Sequence, residues 1–437
     1  GVAITDVDLY QGLRRPLVQA GAPAASDLPV VAGRDAMIRV FYETQSGYDG
    51  LPVTARLTID EAFVVEQTGV LMGTSYQAQL SSTLNLDVPG NLLVPGASFR
   101  VELLQPQSQS SGANSAAVYP GPGAAASLDV QSGGQTLKIQ LVPVASGGTL
   151  PDTSAGQVER YRTSFREVYP IPEVQVTVRS QPYAFQGLLT TYQGWSELLD
   201  QISDLRTSDG ADDDVYYYGI HGVDAGGLLG LGWLAGPTDV WNRAAIGVGW
   251  TGATSAETAV HEVGHNHGRE HAPCGVSDPD FAFPHAGASI GTWGYSPSRN
   301  ELLDPATTVD FMSYCDPAWV SDYTYKALFA RLQQVSTLPY LYVPPEHRNR
   351  TYDRIKVLGE TAFWKDSVEL PRPPGGEAVA VTITTDQGTQ TSTGAFFRYS
   401  EPGGGLLFLR RARSPLPTSP PRLVTFAIGG KTFTLSP

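Results

Sequence analysis

Between Thr254 and His271 the chain reads Thr-Ser-Ala-Glu-Thr-Ala-Val-His-Glu-Val-Gly-His-Asn-His-Gly-Arg-Glu-His, and no other stretch restricts the fold as tightly. Thr254 followed by Glu257 has the spacing of a capping box, which predicts a helix start. His261 and His265 are four apart and share one face of that helix. Two imidazoles so placed can hold one zinc ion, with Glu262 pointing beside the metal, where it can reach a water. Gly268 falls where a helix stops most cheaply, on a left-handed residue. The chain can then bend back so that His271 becomes a third ligand. Three neutral nitrogen ligands leave a fourth position open, the layout of a catalytic zinc site rather than a structural one. His267 is expected to point away from the metal and to be structural.

The spacing is the extended HExxHxxGxxH pattern, and Asp310-Phe-Met312-Ser-Tyr314 follows downstream. Together they resemble the metzincin zinc endopeptidases. The second element is similar to the Met-turn, in which a methionine lies beneath the three histidines. The resemblance implies that Met312 is structural under the site and that Glu262 is the general base. It also implies that Tyr314 stabilises the oxyanion of the tetrahedral intermediate. The Met-Ser-Tyr turn is similar to the pappalysin-type branch. His-Glu-Val-Gly-His-Asn, with a β module ahead of it, is similar to secreted bacterial proteases of the StcE mucinase type. In metzincins an edge strand ahead of the zinc helix binds substrate antiparallel. Leu228–Ala235 stands where that strand is expected, and Ala244–Trp250 would be the next strand. Ser321 would cap a last helix carrying Tyr325, Leu328, Phe329, Leu332 and Val335. The resemblance covers about residues 137–340.

Cys274 is three residues after His271, and Cys315 is three after Met312. If both anchors meet under the zinc, the resemblance makes the two sulfurs neighbours in one disulfide. An even cysteine pair in a chain with five lysines fits an oxidising compartment, two free buried thiols being the alternative.

Around this segment, apolar alternation marks strands at Ala36–Tyr42, Val53–Ile59 and Ser98–Leu104. Gln105–Ser127 is rich in Ser, Ala, Gly and Pro and reads as a surface loop. Leu137–Val144, Val174–Val178, Val215–Ile220, Leu228–Ala235 and Ala244–Trp250 have strand patterns. Helical spacing marks Val158, Tyr161, Phe165 and Val168, after a capping box at Ser154 and Gln157, and then Trp195, Leu198, Leu199, Ile202 and Leu205. Strands return after Thr351. Gly and Pro number 47 and 33, and charged residues are only 16% of the chain against roughly 25% on average. The expected fold is therefore multidomain α+β. A central metzincin-like α/β catalytic domain (134–345) is flanked by β-sandwich-like modules at 1–133 and 346–437. No internal repeat is evident.

The formal net charge of −14 repels phosphate backbones and anionic lipid, so neither nucleic acid nor a membrane surface is an expected partner. The longest apolar candidate, Gly226 to Gly236, is too short to span a bilayer. No secretory leader opens the chain at Gly1, which is read as a mature form or one whose leader has been removed. The expectation is a secreted, monomeric endopeptidase acting on protein or glycoprotein, with one catalytic Zn2+. Two alternatives are a protease specific for mucin-type O-glycoproteins and an adhesin whose zinc domain only recognises its ligand. Glu262 argues against the second. Ca2+ finds no support: Asp212, Asp213 and Asp214 read as a solvated acidic turn, and so do Asp278, Asp280, Asp304 and Asp310. His285 and His347 read as solvated loop residues, and His221 has no assigned role.

Overall fold

A computed structural model describes residues 1–105, 114–133, 135–224, 226–337, 343–386, 388–411 and 423–436. By contacts these fall into two compact units interleaved along the sequence: 1–136, 163–174 and 271–333 in one, and 137–162, 175–270 and 334–437 in the other.

The first unit is built on two antiparallel sheets. Strands Arg14–Gln19, Val2–Tyr10, Ala36–Thr44 and Leu84–Val88 form one, and Ser98–Leu104, Val53–Ile59 and Phe63–Gly69 form the other. Along Ser98–Leu104 the side chains alternate between half-buried and buried, so one face of each sheet supplies the shared apolar core. The 105–127 stretch lies partly outside the described residues. Its described part includes short strands at Val118–Tyr119 and Ala126–Ser127 that pair with Ser98–Leu104.

Residues after His271 pack onto this sandwich. Arg14 N–H donates to Trp293 O at 2.7 Å, Trp319 Nε1 to Gly12 O at 2.9 Å and Tyr325 Oη to Gln11 O at 3.1 Å. The buried Arg34 guanidinium donates to the carbonyls of Glu167, Tyr169 and Ile171. These carbonyls end helix α1 (Ala155–Val168) and the loop after it, so one guanidinium satisfies acceptors a helix terminus leaves open.

The second unit holds a mixed sheet in the order Val174–Val178, Leu137–Ala145, Val215–His221, Ala244–Val248, Gly230–Gly232. Gly230–Gly232 runs antiparallel to Ala244–Val248, whereas Leu137–Ala145, Val215–His221 and Ala244–Val248 are mutually parallel. Helices α2 (Tyr192–Ser208) and α3 (Ala253–Asn266) accompany this sheet. A seven-stranded antiparallel sheet spans Arg350–Leu435.

The expected α/β class is not what the chain adopts. Twenty-nine strands and four α-helices are formed among the described residues, and the molecule is mostly β, with sandwich-like sheets. The local periodicities hold for the helices, α4 (Asp322–Thr337) included. Between α3 and α4, however, only short strand pairs occur, such as Gly294–Ser296 with Glu301–Leu303. One face of the mixed sheet also shares its core with the C-terminal sheet. Trp195, Trp233 and Trp241 share one apolar cluster with Tyr352, Leu370, Phe397, Tyr399, Leu406 and Phe408 of the C-terminal sheet. Periodicity reports which residues are apolar on one face, not which elements cover that face. Among the described residues, no helix is long and apolar enough to cross a membrane.

Candidate metal centre

Helix α3 starts one residue before the expected box, with Gly252 as N-cap and no side-chain capping bond. Gly252 has φ 126°, a conformation that L side chains rarely adopt. It is clamped from both sides by Gln157 of α1: Gln157 Nε2 donates to Gly252 O at 2.9 Å, and Gly252 N–H donates to Gln157 Oε1 at 2.9 Å. Thus the Ser154 cap holds on its own side, Gln157 N–H donating to Ser154 Oγ at 3.4 Å, while the Gln157 side chain serves the entry to α3.

At the other end Gly268 takes φ 76°. Gly268 N–H donates to His265 O at 2.8 Å and Arg269 N–H to Gly264 O at 3.0 Å. That pattern is a Schellman motif, the stop that the glycine predicted.

His261, His265 and His271 are all buried, and each offers a ring nitrogen, all within 4.8 Å of one another. Nε2 of His265 lies 3.1 Å from Nε2 of His261. His265 Nδ1 is 2.6 Å from Arg269 O. A carbonyl only accepts, so the proton sits on Nδ1 and the Nε2 lone pair faces His261. The helix stop therefore also fixes a tautomer. Three imidazoles converging in this way, with the Nε2 lone pair of His265 turned toward His261, fit a zinc-type ion.

Tyr314 is 51% exposed, and its hydroxyl lies 3.1 Å from His271 Nε2, the rings crossing edge-on at 4.9 Å. Met312 is buried, and its carbonyl accepts the N–H of Ala272 at 3.0 Å, beside His271. Cys274 and Cys315 form a disulfide, with Cα atoms 5.8 Å apart. Asp310, expected to be solvated, is fully buried. Its carboxylate accepts Met312 N–H at 2.7 Å and Ser321 N–H at 2.9 Å, so it shapes the turn that carries Met312. Burial raises its pKa, and the Ser321, Met312 and Thr324 hydrogen bonds oppose the rise.

Glu262 is buried against the Gly230–Gly232 strand. A Cβ on Gly230 would lie 2.3 Å from Glu262 Oε1, and one on Gly232 would lie 2.8 Å from the Glu262 carbonyl oxygen. Only a Gly-x-Gly strand leaves space for this carboxylate. Burial raises the Glu262 pKa well above the carboxylate range, the Glu401 charge adds to the rise, and a Ser400 hydrogen bond opposes it. The strand expected over Leu228–Ala235 is thus confined to Gly230–Gly232, and part of its outer edge is taken. Leu234 N–H donates to Arg398 O at 3.2 Å, Trp233 bridges to Tyr399, and Ser400 N–H donates to Gly232 O at 2.8 Å. Ser400 and Glu401 had no signal in the sequence, and Gln157 was legible only as the partner of Ser154, since each acts on the site across a long separation through an ordinary residue type.

The other expectations fare variously. His267 is buried, its Nδ1 2.8 Å from Val263 O and its ring stacked on Tyr216 at 4.6 Å, as expected of a structural histidine. His285 is not simply solvated: it pairs with Asp322 at 2.5 Å. Asp214 pairs with Lys138 at 2.8 Å and Asp213 with Arg372 at 3.3 Å, so cations already answer this acidic turn. Asp280 accepts the Tyr323 hydroxyl at 2.8 Å.

Residues 242–318 match the family model described as Peptidase M66. Dictomallein of Burkholderia mallei (strain SAVP1) and Dictomallein of Burkholderia pseudomallei (strain 668) are each 29% identical over 166 residues, which is 35% of this chain. The alignment spans 22% of each relative's length. The family match contains His261, Glu262, His265, His271, Met312 and Tyr314, and with the Dictomallein similarity it supports a peptidase.

Proposed function

We propose that the chain is a secreted, zinc-dependent endopeptidase of metzincin-type chemistry, acting as a monomer on protein or glycoprotein. The observation that carries this reading is the convergence of three imidazole nitrogens within 4.8 Å, with the buried Glu262 next in sequence to the first. The metzincin likeness resides in these residues and the Met312 turn, not in the layers of the fold. Zinc, when bound, supplies Lewis acidity to the scissile carbonyl and to the attacking water. Glu262 takes the proton from that water and passes it to the leaving amine. Its surroundings favour the protonated acid, which suits the second of these transfers, and a cation held by the histidines favours the carboxylate needed for the first. Tyr314 donates its hydroxyl to the developing oxyanion. The disulfide supports a compartment outside the reducing cytoplasm.

The test is cleavage of casein and of mucin by the full chain, with and without a chelator. Glu262→Gln is expected to retain one zinc per chain and to lose cleavage by at least ~100-fold. Chelation is expected to abolish cleavage of whichever substrate is attacked. Undiminished cleavage by Glu262→Gln would overturn the reading.

A further inference from the structure

The C-terminal sheet bears no motif, yet its Arg398–Glu401 segment reaches the Glu262 carboxylate. Ser400 is buried and is clamped by both backbone groups of Gly232: it donates its own N–H to the Gly232 carbonyl at 2.8 Å, and its Oγ accepts the Gly232 N–H at 2.9 Å. The same Oγ lies 3.4 Å from Glu262 Oε2. A hydroxyl has one proton to give. Gly232 is the donor on one side, so the proton is left for the carboxylate on the other. Oε1 of Glu262 meanwhile faces the bare Cα of Gly230, where a Cβ would lie at 2.3 Å. The carboxylate is thus enclosed between a glycine strand and one hydroxyl.

The segment is also firmly held. Tyr399 donates its hydroxyl to Asp200 at 2.8 Å, and its ring packs on Trp233 at 4.6 Å. Asp200 in turn receives Lys356 Nζ at 2.8 Å. Both charges are buried, and a paired, hydrogen-bonded arrangement of this kind tolerates little displacement.

We infer that Ser400 is a positioning residue for Glu262, fixing the carboxylate rotamer by donating its hydroxyl proton to Oε2, so that the C-terminal sheet completes the catalytic machinery. This rests on Glu262 being the general base. The contact is long for an O–H donor, and catalytic hydrogen bonds shorten when the site is filled.

The full zinc-loaded chain is assayed as Ser400→Ala, Ser400→Thr and Glu262→Gln, on whichever of casein and mucin the unmodified chain cleaves. Ser400→Ala is expected to keep its zinc content, to lower its thermal midpoint by only a few degrees as the Gly232 N–H loses its acceptor, and to lose kcat by about 10- to 100-fold, the worth of a hydrogen bond to a charged group. KM is expected to stay within about twofold, because the hydroxyl acts in the transition state and not on bound substrate. Ser400→Thr, which keeps the hydroxyl, is expected to restore most of kcat. Where Ser400→Ala does not fold, Ser400→Cys, of similar size and weaker as a donor, is expected to show the same fall in kcat. Unchanged kcat in Ser400→Ala, or an equal loss in Ser400→Thr, would overturn the positioning role. An active Glu262→Gln would instead overturn the general-base reading on which it stands.

Discussion

At the scale of single residues, the histidine segment and His221 show opposite uses of burial. His221 is fully buried at the end of its strand, and its ring crosses Trp195 edge-on at 4.6 Å. Neither ring nitrogen has a hydrogen bond of good geometry. Burial pulls its pKa down to about 4, against a weak opposing influence of the Val223 backbone. The folded pKa is below the unfolded one, so the unfolded chain takes up a proton first as the medium is acidified. The associated stability is complete above about pH 6.5 and is lost as pH falls through 4, an amount of about 3 kcal/mol. Urea midpoints of the unmodified chain and of His221→Phe, measured between pH 7 and 4, are expected to diverge, the variant falling less; parallel curves would acquit His221. The sequence left this residue without a role because a lone histidine carries no spacing. By contrast His261, His265, Gly268 and His271 were legible, since α3 and its stop lie within one short segment. Asp310 misled: it looks like any loop aspartate until Met312 and Ser321 are seen to need its carboxylate.

Among the structural elements, the segments after His271 and after Met312 are bound by both a backbone hydrogen bond, Ala272 to Met312, and the Cys274–Cys315 disulfide. The bridge closes a loop with a sequence separation of 41 residues, which in the chain-entropy model corresponds to about 4 kcal/mol. Cys274→Ser with Cys315→Ser is expected to lose a stability of that order in guanidinium unfolding and to bind zinc more weakly, because His271 sits at the mouth of the released loop. An unchanged unfolding midpoint would show that the packing alone holds it. At this scale helix positions, the Ser154 and Ser321 caps and the Gly268 stop were readable, whereas the entry to α3 was not. Gly252 and Gln157 meet across 95 residues, and no local pattern signals such a contact. The outer edge of the Gly230–Gly232 strand was misjudged for the same reason: its partner lies in the C-terminal sheet.

For the whole molecule, strands such as Ala36–Thr44, Leu137–Ala145 and Ala244–Val248 were legible singly while the class was not, because shared cores are invisible to a one-dimensional pattern. The C-terminal sheet covers Trp195, Trp233 and Trp241, and sends Lys356 to Asp200 and Arg354 to Asp204 at 2.8 and 2.9 Å. A chain ending at Pro345 is therefore expected to bind a hydrophobic dye and to lose its near-ultraviolet dichroism in that unit, since three tryptophans lose their cover. Retention of the native spectrum would mean that the sheet is a dispensable appendage. The interleaving of the two units carries a consequence for synthesis. Neither unit holds all its parts until residues beyond 270 have been made, and the second waits for the last strands. A nascent chain thus carries the whole His-Glu segment while the sheet bearing Ser400 is still missing. Under the proposed function, competence to cut proteins is therefore expected only once the strands that carry Ser400 have been made and have docked on Gly230–Gly232.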